Sequence, residues 1–170
     1  MQLRPLLSQT AIAQRVAELG ADISRQYEQR LPVLLVLMDG AFVFAADLAR
    51  AISAPELRLH FVSARSYSGI ISSGTVTLGS LPTLTDCDVL IIDDILDTGR
   101  TLARARNAAR ESGARSVATC VLLDKPERRV SEGLAQADHV GFTIPDVFVV
   151  GYGLDHDGRH RHLPCVYVLE

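Results

Sequence analysis

The chain has 170 residues, 48% of them hydrophobic and 22% charged, with a formal net charge of −3. That apolar content is enough for a sizeable core and too high for disorder. The arginines are scattered and form no basic stripe, so nucleic acid is not the expected partner. The longest strongly apolar run, Leu31–Met38, contains Pro32 and is far short of the roughly 20 residues a membrane helix needs. Met1–Gln9 is too short and interrupted for a secretion signal. Cys87, Cys120 and Cys165 show no CxxC spacing. They read as reduced thiols in a cytoplasmic protein rather than disulfides or a zinc site.

In chain order, Thr10 opens a helical pattern with Ile12, Val16, Leu19 and Ile23 on one face, ending near Tyr27. Leu31–Met38 follows as a buried strand of a parallel sheet, closed by Asp39-Gly40. Ala41–Ile52 is expected to be a helix with Phe42, Ala45, Leu48 and Ala49 on one face, and Glu56–Ser63 a strand. Residues 64–80 are rich in Ser and Gly without helical period, which suits either a hairpin or a mobile lid. Alternation then resumes: strand Val89–Asp93, helix Thr98–Ser112, strand Ser116–Leu123. The helix turns Leu102, Ala105 and Ala109 inward and Arg104, Arg106 and Arg110 to water, and Gly113 ends it. Two short strands, His139–Ile144 and Val147–Val150, precede a Gly/Asp/His-rich loop and a last strand near Cys165–Leu169. The pattern predicts one α/β domain over residues 1–170, a mainly parallel twisted sheet flanked by helices.

Ligands of such sheets bind beyond the carboxyl ends of the strands. Asp93 and Asp94 stand there, and Asp97-Thr98-Gly99-Arg100-Thr101 then turns into a helix. Backbone N–H groups at that helix start, with the Thr98 and Thr101 hydroxyls, can cradle a phosphate, and Gly99 permits close backbone approach. Acceptors for hydroxyls beside donors for a phosphate are what a ribose 5-phosphate needs. A strand with a polar end and a helix cap is the plain structural alternative. A Walker loop is excluded, since its pattern would need Gly at Asp94 and Lys at Arg100. A receiver domain places its acidic pair after the first strand, whereas several elements precede this one.

The segment Ile91–Thr101 (IIDDILDTGRT) resembles the phosphoribosyl-diphosphate (PRPP) motif of type I phosphoribosyltransferases. Leu122–Arg129 (LLDKPERR) and Val149–Leu163 (VVGYGLDHDGRHRHL) are similar to the base-binding and C-terminal segments of the hypoxanthine-guanine subfamily, and Ser66-Tyr67 resembles its lid. The resemblance implies Mg²⁺-dependent transfer of phosphoribosyl from PRPP to a 6-oxopurine, with Asp93 and Asp94 on the ribose hydroxyls and Asp97 assisting proton transfer at purine N7. It places Thr98, Gly99, Arg100 and Thr101 on the 5-phosphate, and Gly40, Ala41 and Arg161 on the diphosphate. Lys125 would donate to O6, Phe148 would stack on the base, and the Val149 backbone would read its edge. Asp155 would bind magnesium, with Asp93 and Asp94 contributing. A small hood formed from residues 145–170, a lid at 64–80 and a homodimer or homotetramer are also implied.

Asp39 departs from the family pattern, which often has Lys or Arg in that diphosphate loop, a loop that often carries a non-proline cis peptide. The histidines His156, His160 and His162 invite a transition-metal reading, but such sites need converging geometry, and faces toward solvent or diphosphate fit better. The rival within the fold is an RNA-binding attenuator of pyrimidine operons with uracil phosphoribosyltransferase activity. Asp97, Lys125 and the VGYGLD segment favour purine. A non-catalytic nucleotide-binding regulator is the third reading, and the presence of Asp97 argues against it.

Overall fold

The computed structural model describes residues 2–28, 30, 32–54, 56–66 and 76–170, with the side chains of Arg65 and Ser66 set aside. Its elements are β1 (Leu3–Leu7), α1 (Gln9–Gln26), β2 (Val33–Met38), α2 (Phe42–Ala51), β3 (Arg58–Ser66), β4 (Val76–Leu78), β5 (Asp88–Leu96), α3 (Arg100–Glu111), β6 (Ser116–Asp124), β7 (His139–Thr143), β8 (Val149–Val150) and β9 (Val166–Leu169), with a 3₁₀ turn at Pro126–Arg128. Six strands form a sheet in the order β4-β3-β2-β5-β6-β7. All its pairings are parallel except that of β4 with β3. A second, antiparallel sheet has the order β1-β9-β8 and carries the C-terminal segment.

The β2 and β5 runs are apolar on both faces because both faces are covered. Leu34, Val36, Leu90 and Ile92 join a core with Ile12, Val16, Leu19 and Ile23 of α1, Phe44 and Leu48 of α2, and Val166 and Val168 of β9. Leu35, Leu37, Val89 and Ile91 meet Leu102, Ala105 and Ala109 of α3 on the other side. Helix α1 starts where Ser8 accepts a hydrogen bond from the Ala11 N–H, a side-chain N-cap that replaces a missing backbone partner.

Three expectations need correction. Phe42 does not share the buried face of α2: it is 54% exposed, and Phe44, Ala45 and Leu48 point inward instead. Arg106 is half-buried rather than turned to water. The strand carrying Asp93 does not stop there. Past Ile92 the two central strands part company: β2 stays with β3 as far as Met38–Ser63, and β5 stays with β6 as far as Leu96–Asp124. Asp93 and Asp94 therefore ride on an extended strand whose other neighbour has been withdrawn.

Candidate active site

Helices α2 and α3 leave β2 and β5 on opposite faces of the sheet, so the gap between these strands is the topological switch point, the usual ligand crevice of an α/β sheet. A cavity of about 620 Å³ opens there, lined by Met38–Gly40, Asp93–Leu102, Arg128, Asp155 and Arg161 among others.

One wall is the turn into α3. Gly99 caps the helix at φ +84°, in the left-handed region where a side chain is disfavoured. A Cβ on Gly99 would also lie 2.5 Å from the Leu134 carbonyl oxygen. The turn is buttressed from outside by the 130–134 loop: Leu134 N–H donates to Gly99 O at 2.9 Å and Val130 N–H to Thr98 O at 3.3 Å. Arg129 locks the same region, its guanidinium donating to the carbonyls of Leu96, Asp97, Lys125 and Ala135 and pairing with Asp124. These contacts engage carbonyls of the turn, and the first turn of α3, whose leading N–H groups have no intrahelical partner, lines the cavity, with the Arg100 N–H donating to Thr98 Oγ1 at 3.5 Å.

The floor is acidic. Asp93 is 8% exposed, and its Oδ1 accepts the Asp94 N–H at 3.1 Å. Burial, and then the charge of Asp94, push the Asp93 carboxyl well above the usual carboxylate range; burial also raises Asp94, against hydrogen bonds and the nearby Arg161. Asp97 faces the cavity from the turn and accepts a hydrogen bond from Arg128 Nε at 3.1 Å.

The opposite wall joins two turns. The Met38–Asp39 peptide is cis, in the turn where the resemblance placed one. Gly40 follows, so close to Asp94 that a Cβ there would lie 1.7 Å from Asp94 Oδ2. Gly153 backs onto Gly40 in turn, since its Cβ would meet Gly40 O at 2.2 Å. Arg161 reaches in from the C-terminal segment, donating to Gly153 O at 2.6 Å and pairing with Asp155 at 2.9 Å.

A model of the phosphoribosyl transferase domain matches residues 4–157. The chain belongs to the phosphoribosyltransferase family. It is 40% identical over 170 residues to the hypoxanthine phosphoribosyltransferase of Salmonella typhimurium, covering 95% of this chain and 92% of that one. It is likewise 40% identical over 168 residues to the hypoxanthine-guanine phosphoribosyltransferase of Bacillus subtilis, covering 97% and 92%. The crystal structure of a hypoxanthine-guanine phosphoribosyltransferase from Bacillus anthracis superposes with a TM-score of 0.90 at 35% identity, over the whole of both chains.

Of the residues expected to serve a phosphoribosyltransferase, Gly40, Asp93, Asp94, Asp97, Thr98, Gly99, Arg100, Thr101, Asp155 and Arg161 line the one cavity, and so does Asp39. Ala41 is fully buried at the start of α2, just behind it. Lys125, Phe148 and Val149 are not in that lining. Lys125 is 8% exposed, with Nζ 4.0 Å from Asp146, while Phe148 is 53% exposed with its ring edge-on to His156 at 5.5 Å. Ser66 lies at the end of β3 with its side chain undescribed, and Tyr67 lies outside the described residues.

Sequence reasoning missed Arg128. It lines the cavity, bonds Asp97 and lies 3.7 Å from Asp146, which links Lys125 to the cavity in an unbroken chain of charges. The signal was present in LLDKPERR, where a 3₁₀ turn at Pro126–Arg128 swings the third residue after Lys125 back toward the motif. Gly133 was missed as well: a Cβ there would lie 2.1 Å from Thr98 O, a tertiary requirement with no local signature.

Proposed function

We propose that the chain works as a single catalytic domain that transfers the 5-phosphoribosyl group of PRPP to N9 of hypoxanthine or guanine, giving the nucleoside monophosphate and diphosphate. The observation that carries this is one cavity at the switch point combining a buried Asp93–Asp94 pair, Asp97 and an open helix start at Gly99–Thr101. The relatives named above bear hypoxanthine names, which favours a 6-oxopurine over the uracil and RNA reading.

In this reading the base nitrogen attacks the anomeric carbon as the bond to diphosphate breaks, through an oxocarbenium-like state. The 5-phosphate rests on the N–H groups and hydroxyls of Thr98–Thr101, and Asp93 and Asp94 accept from the ribose hydroxyls. Ribose hydroxyls donating into Asp93 and Asp94 favour their ionised forms, offsetting the cost of burial. The base gives up a proton as it bonds, and Asp97, held by Arg128, accepts at N7. Lys125 has only donors and suits an oxo group rather than an amino group. Phe148 offers a ring face, and Arg161 and the Gly40 peptide hold the diphosphate.

Magnesium fits this donor set. Among the described lining residues, Asp39, Asp93, Asp94, Asp97 and Asp155 against Arg100, Arg128 and Arg161 give a formal balance of minus two with every carboxyl ionised, so a polyanionic substrate needs cations with it. Among the described residues no three His, Cys, Asp or Glu side chains converge on a metal. That suits magnesium, which usually takes one or two carboxylates together with substrate phosphates and water. Asp155 would hold it directly or through water, with Asp93 and Asp94 contributing through water, and it would offset charge building on the leaving diphosphate. Asp39 would reach diphosphate through such a cation or water. A cytoplasmic homodimer or homotetramer is the assembly we expect.

The test is Asp97→Asn. With hypoxanthine and Mg²⁺–PRPP, kcat should fall by about 10²–10⁴ while the KM for PRPP changes little. Wild-type turnover by the variant would remove Asp97 from the mechanism.

A further inference from the structure

Behind the diphosphate end of the cavity, the C-terminal segment passes through three successive left-handed residues: Gly151 at φ +96°, Tyr152 at +50° and Gly153 at +101°. This conformation is uncommon for a tyrosine, so the surroundings must fix it. Backbone bonds do so in part, with Gly151 N–H donating to Leu154 O, Tyr152 N–H to Leu163 O and Gly153 N–H to Arg161 O. The remaining tie is longer in reach. Tyr152 is 6% exposed, and its phenol donates to Oδ2 of Asp47 at 2.5 Å. Asp47 sits on α2, the helix that grows directly out of the Met38–Gly40 turn.

We infer that the Asp47–Tyr152 bond is a clamp that positions the diphosphate-binding end of the site and so sets PRPP affinity without touching PRPP. The inference rests on the proposed role of Gly40 and Arg161 as diphosphate ligands. Tyr152 is bonded to Gly153, whose α-carbon is packed against Gly40 O, and Arg161 donates to Gly153 O. Any drift of Tyr152 from α2 therefore moves both proposed diphosphate contacts together. Neither Tyr152 nor Asp47 lines the substrate cavity. Both line a separate cavity of about 280 Å³ behind it, and Arg161 forms part of the wall of each. Burial and the Asp47 contact hold the Tyr152 phenol above its ordinary range, so it remains a donor at neutral pH.

The clamp should act on one substrate only. Val149 and Val150, next to the proposed base-stacking Phe148, are fixed independently by pairing with Val168 and Tyr167 of β9. Lys125 is placed by another element, its N–H bonded to Leu96 O.

The experiment compares steady-state KM values for PRPP and hypoxanthine in Tyr152→Phe, Asp47→Ala and the double variant. Each single change should raise the KM for PRPP by about threefold to tenfold, the effect of one lost hydrogen bond, with the KM for hypoxanthine within about twofold of wild type. The double variant should be no worse than either single one, because both remove the same bond. Asp47→Asn retains an accepting oxygen and should stay near wild type, and so should Arg50→Ala, which removes only the surface ion pair of Asp47. Should Tyr152→Phe fold poorly, Asp47→Ala decides the matter, since its side chain is 39% exposed. An unchanged PRPP KM in both single variants overturns the clamp. So does a parallel rise of both KM values with loss of thermal stability, which is the mark of a merely structural contact. Wild-type protein inert toward hypoxanthine would refute the proposed function instead, and calorimetric titration of the same variants with Mg²⁺–PRPP would still read the clamp.

Discussion

Replacing Gly99 by alanine tests the phosphate cradle where its geometry is tightest. A left-handed alanine at φ +84° costs about 1–2 kcal/mol from backbone sterics alone. Its Cβ would lie 2.5 Å from Leu134 O and 2.6 Å from Leu134 N, and these are backbone atoms that cannot rotate away. The 130–134 loop must therefore retreat, weakening the Leu134–Gly99 and Val130–Thr98 bonds at about 1 kcal/mol each. The sum is roughly 3–4 kcal/mol, or a fall in melting temperature of roughly 6–16 °C for a chain of this length. Because the same shift displaces the N–H groups at Arg100 and Thr101, the KM for PRPP should rise about tenfold, which corresponds to about 1.4 kcal/mol of lost binding. Differential scanning calorimetry and initial-rate kinetics read the two effects separately. A variant that melts within 2 °C of wild type, with an unchanged KM for PRPP, would refute both the buttressing and the cradle.

Asp93→Asn should make the empty protein more stable and a poorer enzyme. The carboxyl is raised in the folded state, so above the unfolded value its ionisation opposes folding, increasingly as pH rises toward the folded value. The amide removes that opposition while its oxygen can still accept the Asp94 N–H. A gain of about 0.5–2 kcal/mol at neutral pH is expected, shrinking as pH falls toward the ordinary carboxylate range, together with a higher KM for PRPP; a melting temperature lowered at pH 7.5 would contradict this. Lys125→Ala should raise the KM for hypoxanthine about tenfold, in line with loss of a charge-assisted hydrogen bond, and leave that for PRPP near wild type. An unchanged KM for hypoxanthine would take Lys125 out of base recognition.

The layered α/β architecture was legible because the β2 and β5 runs are apolar on both faces and α3 keeps a clean apolar stripe. The phosphate turn was legible because Asp97–Thr101 is contiguous. Strand β1 was not: LRPLL contains a proline, has no fully buried residue, and pairs only with β9, which returns from the far end of the chain. The extension of β5 through Asp93 and Asp94 depends on β6 continuing beside it, which polar residues at a strand end do not announce. Arg128, Gly133 and the Asp47–Tyr152 bond share one obstacle. Each acts on a partner between 31 and 105 positions away or across a backbone contact, where local pattern has no reach.

The account stands most directly on the identity of the base. Purified protein should be assayed with Mg²⁺ and PRPP against hypoxanthine, guanine, xanthine, adenine and uracil, following diphosphate release. Turnover with hypoxanthine or guanine, with adenine and uracil at background, is the predicted result. Turnover with uracil and none with a 6-oxopurine would contradict it.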